Sequence, residues 1–507
     1  MGWFWLNKQK KGSLKVNKRQ PVSLLVRSII LFLLPFTFLL WHSLLPAAAS
    51  TPKYYNDLKF PPLPEVQLPK YTRYQMANGI TVYLMENREL PLISGNAIFR
   101  TGDIWDSGDK IGLGELVGTV MRSGGTRSHS ADELNEILEQ KAASVETSIA
   151  NTSGGASFQS LSENVEEILG LFAEVIQEPV FPQDKLDLAK TQMRGEIARR
   201  NDEPNGIAYR EFQKLIYGKD SPFARTTEYA TVKNISRQDL IDFYQKNFHP
   251  NNMILGLVGD FDTQTMKSLI EKKFGKWKSD PKWQASKLPT VSQANTNGVF
   301  LVDRPQLTQS SVLIGHLGGM LNSPDYAALS VLNDVFNGFG GRMFNQIRAR
   351  QGLAYSVYAM WSPRYDYPGI FIAGGQTRSE ATVPFIQAVR TEIDRTRNEL
   401  ITPAELAYAK ESALNSFIFK FQDPSQTLSR LMRYEYYGYP SDFIFTYRRQ
   451  VEATTIADVQ RVAKKYLKPD NLVTLVVGNS QTIKPPLTNL GSAVKQLNVT
   501  IPADKNS

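Results

Sequence analysis

The pattern of apolar and polar positions starts with two short strand-like runs, Tyr74–Met76 and Ile80–Met85. They flank Ala77-Asn78-Gly79, a turn sequence that predicts a hairpin. Leu92–Phe99 predicts a third strand. The apolar spacing then changes to the helical period. Ser130 is placed to cap a helix with Asp132 and Glu133 in its first turn, and Glu163–Gln177 and Lys185–Arg199 read as longer helices. Strands mixed with long helices predict an α+β fold rather than a regular β-α alternation.

The pattern occurs twice. His249–Gly259 reads HPNNMILGLVG and Lys468–Gly478 reads KPDNLVTLVVG. Pro250 and Pro469, Asn252 and Asn471, and Gly259 and Gly478 share an offset of 219, as do Ser236 with Thr455 and Asp239 with Asp458. Ala189-Lys190 and Ala409-Lys410 match at 220. Ordered matches at nearly one offset argue for an internal duplication. In each copy a helical segment, 236–247 or 455–466, runs into Pro-x-Asn and then an apolar strand ending in glycine. The polar stretch Ser279–Asn297 reads as the connection between the copies. The expected fold is thus α+β in two homologous halves, each a mostly antiparallel sheet packed with helices, arranged as a clamshell. The expected boundaries are a leader at 1–49, a proline-rich linker at 50–69, halves at 70–278 and 298–485 joined by a linker at 279–297, and a tail at 486–507.

Composition narrows the chemistry. With 507 residues, 42% hydrophobic and 21% charged, the chain is globular. It has no cysteine, which removes disulfides, thiolate metal sites and a cysteine nucleophile. Its four histidines, His42, His129, His249 and His316, are far apart, so no local two-histidine metal motif exists; the three in the body read as structural. The net charge of +9 resides mostly in residues 1–49, which carry seven Lys and Arg and no acid. The nearly neutral remainder gives no basis for nucleic-acid binding. Basic residues 1–27, apolar Ser28–Leu45 and Ala47-Ala48-Ala49 follow the order of an export signal, with cleavage expected after Ala49. The alternative is an uncleaved leader that anchors the chain, the one expected contact with a membrane. Either reading places the body in the periplasm or another extracytoplasmic space.

Two segments carry candidate chemistry. Gly112–Thr126 reads GLGELVGTVMRSGGT, an apolar helix ending in a Gly-Gly stop. Phe344–Tyr358 reads FNQIRARQGLAYSVY and follows the glycine-rich turn Asn337–Gly341, which lacks the lysine and spacing of a phosphate loop. Arg348 and Tyr355 sit seven apart in it. Taken alone they read as a structural pair, arginine on a helix and tyrosine packed in a strand. Arg342 and Arg350 read as solvated helix charges. Tyr434, Tyr436, Tyr437 and Tyr439 read as packing, with an aromatic cavity wall as the alternative.

On these segments the chain resembles the insulinase/pitrilysin family of metallopeptidases. Members carry G-L-x-H-F-L-E-H-M-x-F-x-G-T at the first, R-x-x-x-G-L-x-Y at the second, and a P-x-N-L strand closing each half. The resemblance covers roughly residues 70–485. It implies zinc held by two histidines one helical turn apart, a glutamate base between them, and a distant glutamate ligand. Here the histidine positions are Glu115 and Thr119, the base position is Gly118, and only Glu196 matches, at the third ligand position. The expectation is that this chain binds no cofactor and has no catalytic residue of its own. The R-x-x-x-G-L-x-Y context turns Arg348 and Tyr355 into a substrate-binding pair that reaches across a cavity, the arginine to a peptide carbonyl and the tyrosine to a developing oxyanion. The resemblance thus implies a non-catalytic, substrate-binding subunit whose partner, a homologous peptidase chain, holds the zinc. The rival is a proteolytically inactive scaffold homologue in an envelope complex; a stand-alone enzyme with an unrecognised metal site is a third alternative.

Overall fold

The structure, a computed structural model, describes residues 67–503. The leader and nearly all of the proline-rich linker lie outside the described residues. Among these, no helix is long and apolar enough to cross a membrane.

The first half is built on a six-stranded sheet: β1 Thr72–Gln75, β2 Thr81–Glu86, β3 Leu92–Phe99, β4 Ser144–Ile149, β5 Gly154–Leu161 and β6 Met253–Gly259, in the order β1-β2-β6-β3-β5-β4. β1 and β2 form the hairpin expected from Ala77-Asn78-Gly79. The second sheet contains β7 Gly298–Asp303, β8 Gln309–Leu317, β9 Ala354–Ser362, β10 Ile370–Arg378, β11 Val473–Gly478 and β12 Val494–Gln496, in the order β12-β7-β11-β8-β10-β9. Apart from the edge strands β1 and β12, the two orders are the same. The two Pro-x-Asn strands, β6 and β11, each lie third, parallel to one neighbour and antiparallel to the other. The preceding helices, Arg237–Asn247 and Ile456–Tyr466, open on the same capping box, Ser236 with Asp239 and Thr455 with Asp458. β12 lies in the segment expected as a tail. It pairs in parallel with β7 and occupies the edge that β1 fills in the first half.

The central strands are buried on both faces; β6 and β11 have no exposed position. One face of each sheet carries its own half's helices. The other is covered by a helix from the opposite half. Ile207, Phe212 and Leu215 of the Pro204–Tyr217 helix pack on Phe300, Leu313 and Leu475. Leu428, Leu431 and Met432 of the Pro424–Tyr437 helix pack on Tyr83, Ile254 and Val258. These two helices are themselves repeat equivalents: Pro204 and Pro424, Arg210 and Arg430, Tyr217 and Tyr437 share an offset of 220. Burial at about 25 cal/mol per Å2 of apolar surface drives this exchange. It also explains the continuous apolar runs in strands that alternation alone would expose on one side.

His316 in β8 shows how polar groups survive in this core. Its ring is fully buried against Phe371 and Trp361. Nδ1 donates to the Leu317 carbonyl at 2.9 Å and Nε2 accepts from the Lys468 amide at 3.2 Å, so the neutral ring satisfies both nitrogens. Burial pushes its pKa down to about 4. The folded state refuses a proton that the unfolded chain accepts below about 6.5. His316 therefore stabilises the fold fully above pH 6.5 and loses that contribution as pH falls toward 4. Asp106, described below, is pushed up to about 7 and titrates with the opposite sign. The useful measurement is thus the difference in unfolding free energy between wild type and His316→Gln. It should shrink by roughly 2–3 kcal/mol between pH 7 and pH 4.5; a pH-independent difference would reject this assignment.

Candidate functional site

The Leu113–Ser123 helix begins after Gly112, and the buried Asp106 carboxylate accepts from the amides of Gly112 at 3.1 Å and Gly114 at 3.2 Å. The loop is braced by Arg225, which donates to the carbonyls of Asp103, Ile104 and Asp106. Glu115 and Thr119, one turn apart, are exposed on the same stripe of this helix. Glu115 opens into a cavity of about 250 Å3 with Asp103, Gln213 and Arg225. Burial within that concavity, then the negative charges of Glu196 and Asp103, raise its pKa. Glu196, on the Gln183–Arg199 helix, is thus brought within electrostatic reach of Glu115.

Gly118, between them on the helix, turns toward β4 rather than to solvent. It is buried, and its carbonyl accepts from the Thr147 hydroxyl at 2.5 Å. A β-carbon there would lie 2.6 Å from the Ile149 amide nitrogen and 2.9 Å from the Ser148 carbonyl carbon, both backbone atoms of β4. The positions do not fit a zinc ion. One carboxylate and a threonine face outward where two imidazoles are needed, and the base position has no room for a side chain. Among the described residues no three His, Cys, Asp or Glu side chains cluster as a ligand set. Gly118→Ala should therefore displace β4 and cost about 1–3 kcal/mol. The triple variant Glu115→His, Gly118→Glu, Thr119→His should gain neither stoichiometric zinc nor peptidase activity. Metal analysis returning one zinc per chain, with chelator-sensitive cleavage, would overturn this account.

The second segment does bring its two residues together. A π-helical turn spans Phe344–Arg350, and β9 starts at Ala354. Gly352 between them has φ +61°, a left-handed value that reverses the chain at low cost. The result places the Arg348 guanidinium 4.8 Å from the centre of the Tyr355 ring and 5.0 Å from that of Phe344. Phe344 in turn meets Phe339 edge-on at 5.1 Å. Tyr355 is 81% exposed, and the Arg348 donors meet no acceptor among the described residues. Arg350 is exposed and bonds Gln346 at 3.1 Å.

Arg342 corrects the sequence reading. It is not a solvated charge but 4% exposed, held by Glu405 through bonds of 2.6 and 3.2 Å and by Thr396 at 3.1 Å. It stands in the first turn of the helix that follows Gly340-Gly341, where Glu405 and Glu392 cover it. The tyrosine cluster divides between both expected roles. Tyr434 and Tyr436 are core, whereas Tyr437 lines a cavity between the halves. Asp106 was not singled out from the sequence; an acid six residues before the glycine whose amide it binds was the available signal.

Residues 97–225 match the family profile described as insulinase, peptidase family M16, and residues 234–413 match that of the peptidase M16 inactive domain. A Helicobacter pylori protein described as the non-peptidase homolog YmxG is 24% identical over 424 residues, 80% of this chain and 93% of that protein. The uncharacterized zinc protease YmxG of Bacillus subtilis is 22% identical over 362 residues, 71% of this chain and 86% of its own length. A crystal structure of a peptidase M16 inactive domain from Pseudomonas fluorescens superposes with a TM-score of 0.74 at 25% identity, covering 82% of this chain and 100% of that one. A Helicobacter pylori protease superposes with a TM-score of 0.71 at 20% identity, over 81% of this chain and 100% of the other, a likeness of fold.

Proposed function

The chain belongs to the insulinase family, peptidase M16, and from that premise we propose that it is a non-catalytic, substrate-binding subunit of a two-chain zinc peptidase outside the cytoplasm. Its own zinc positions are Glu115, Gly118 and Thr119, and Gly118 has no room for a catalytic base. The descriptions of two relatives, a non-peptidase homolog and an inactive domain, support the non-catalytic part of this reading. The observation that carries the rest is the stacking of Arg348 on Tyr355, with guanidinium donors and a phenol that meet no hydrogen-bond partner among the described residues. An unsatisfied arginine fork suits a peptide carbonyl, and a phenol suits an oxyanion. The zinc and the base would come from a homologous chain bearing the full motif.

The experiment is isolation of the full chain from the cell envelope. It should begin near Ser50 and copurify with a homologous zinc-binding chain. Peptide cleavage should require both chains and stop on chelation. Full activity of the zinc chain alone, unchanged on adding this one, would reject the proposal.

A further inference from the structure

Asn-Gly occurs four times in the chain, at 78–79, 205–206, 297–298 and 337–338. We propose that one of the four, Asn297-Gly298, is a site of spontaneous covalent modification, where the asparagine cyclises onto the glycine amide and is converted to aspartate and isoaspartate. Nothing in this rests on the role given to Arg348 and Tyr355.

The step needs an asparagine side chain that can turn onto the next backbone nitrogen, and a following residue with no β-carbon in the way. The Gly298 nitrogen bonds to the Asn297 side-chain carbonyl carbon. The bond from that carbon to the side-chain nitrogen breaks, and the nitrogen leaves as ammonia with the proton of the glycine amide. Water then opens the five-membered imide. Opening at the side-chain carbonyl gives aspartate, and opening at the main-chain carbonyl gives isoaspartate. Either product carries a carboxylate where the amide was neutral.

The other three pairs are held against this step. The Asn78 side chain donates to the carbonyls of Phe274 at 2.9 Å and Trp277 at 3.1 Å, and the Gly79 amide that would attack it donates to the Met76 carbonyl at 2.9 Å. Asn337 donates to the Asn333 and Ala359 carbonyls, both at 2.7 Å, and accepts from the Ala359 amide at 3.2 Å. Asn205 lies in the first turn of the Pro204–Tyr217 helix, and its side-chain oxygen accepts from Ser311 at 2.8 Å and Gln376 at 3.1 Å. Cyclisation at any of these must first break such bonds. Asn297 is exposed in a bend, and its side chain has no hydrogen-bond partner among the described residues. Gly298 has φ +122°, a value that keeps glycine at the attacking position.

The place gives the reaction a consequence. Before the bend, the Gln293 side chain donates to the Asn471 carbonyl and accepts from the Leu317 amide, both at 3.0 Å. The Ala294 amide donates to the Ile216 carbonyl at 2.8 Å, and the Asn295 side chain donates to the Leu215 carbonyl at 2.8 Å. After the bend, β7 begins at Gly298, opposite Val473 of β11. Only Thr296 and Asn297 lie between these anchors. Aspartate changes the charge alone. Isoaspartate routes the main chain through the side-chain carbons and lengthens it, and so short a segment cannot take up the extra length without shifting the start of β7 or the bonds to Leu215 and Ile216.

The test is peptide mapping by mass spectrometry of the full chain during incubation in mildly alkaline buffer. The peptide carrying Asn297 should gain the mass of an amide-to-acid exchange and split into two chromatographic forms. Peptides carrying Asn78, Asn205 and Asn337 should react at least about tenfold more slowly in the folded chain and at rates comparable to Asn297 in urea. Asn297→Gln should abolish the reaction at this position. Asn297→Asp should keep the wild-type denaturant midpoint, whereas the separated isoaspartate form should unfold at lower denaturant. Reaction of any other pair at the Asn297 rate in the folded chain, or an unchanged Asn297 in conditions where the unfolded chain reacts, would overturn the proposal. Equal midpoints for the isoaspartate and unmodified chains would overturn its consequence.

Discussion

Arg348→Ala should lower the peptidase activity of the assembled pair by about 10²–10³-fold while leaving its folding and assembly intact. The size follows from the geometry. Arg348 has no hydrogen-bond acceptor among the described residues of its own chain, so removing it costs the fold little beyond two cation–π contacts, each worth about 0.5–1 kcal/mol at an exposed site. A donor aimed at charge that develops in a transition state is worth about 2.7–4 kcal/mol. Tyr355→Phe should cost a similar factor, because it keeps the ring that supports Arg348 and removes the hydroxyl. Arg350→Ala is the control, an exposed side chain bonded to Gln346 one turn back. Steady-state kinetics of the pair separates the readings. If both site variants cleave peptide at the wild-type rate, the shared site is rejected and a scaffold role gains support.

A different arginine six residues earlier should behave in the opposite way. Arg342→Met should destabilise the chain by about 3–5 kcal/mol and leave the chemistry of any correctly folded pair untouched. Arg342 is the counter-charge for two acids. Burial alone would raise the Glu405 pKa, but the Arg342 hydrogen bonds and the Thr402 amide hold it down to about 2. Glu392 lies 3.9 Å from Arg342, and its side chain is 6% exposed. Without Arg342 the Glu405 carboxylate loses its ion-pair partner, while Glu392 keeps Arg395 at 3.5 Å, so the cost of breaking the buried pair falls on Glu405. Lysine should not rescue it, since one ammonium cannot match the two-point bond to Glu405 and the third to Thr396. Denaturant midpoints of wild type, Arg342→Met and Arg348→Ala give the check. Equal midpoints for all three would mean that the buried pair contributes nothing net.

The contrast between Arg342 and Arg348 marks how far the sequence could be read. Features with a local cause were legible: the Asn78-Gly79 turn, the Ser130 cap, and the Pro-x-Asn strands whose matching sheet positions express the duplication. Arg348 and Tyr355 stood out only through the R-x-x-x-G-L-x-Y resemblance; their contact in the structure follows from the short turn at Gly352 between the helix end and the strand start. Arg342 was not, because a charged residue near a helix reads as solvated until the acids that bury it, 50 and 63 positions away, are in place. Gly118 carried no hint of its tight fit, which depends on the β4 backbone. β12 is three residues of ordinary polarity and exists only through pairing with β7. The crossing of the Pro204–Tyr217 and Pro424–Tyr437 helices left a trace in the repeat, but amphipathic spacing says that a helix has an apolar side and not which sheet receives it.

That crossing has a consequence for ancestry. A single half made alone would have one sheet face bare and one helix without a seat, and a second copy would cure both defects at once. The arrangement is that of a symmetric dimer with exchanged arms whose two subunits have become one continuous polypeptide. The linker at 279–297 then fixes the stoichiometry of an association already complete, and each half is free to diverge on the surfaces the exchange leaves open. One half could keep an arginine and a tyrosine while the other let its metal ligands go, because neither change touches the contacts that keep the two together.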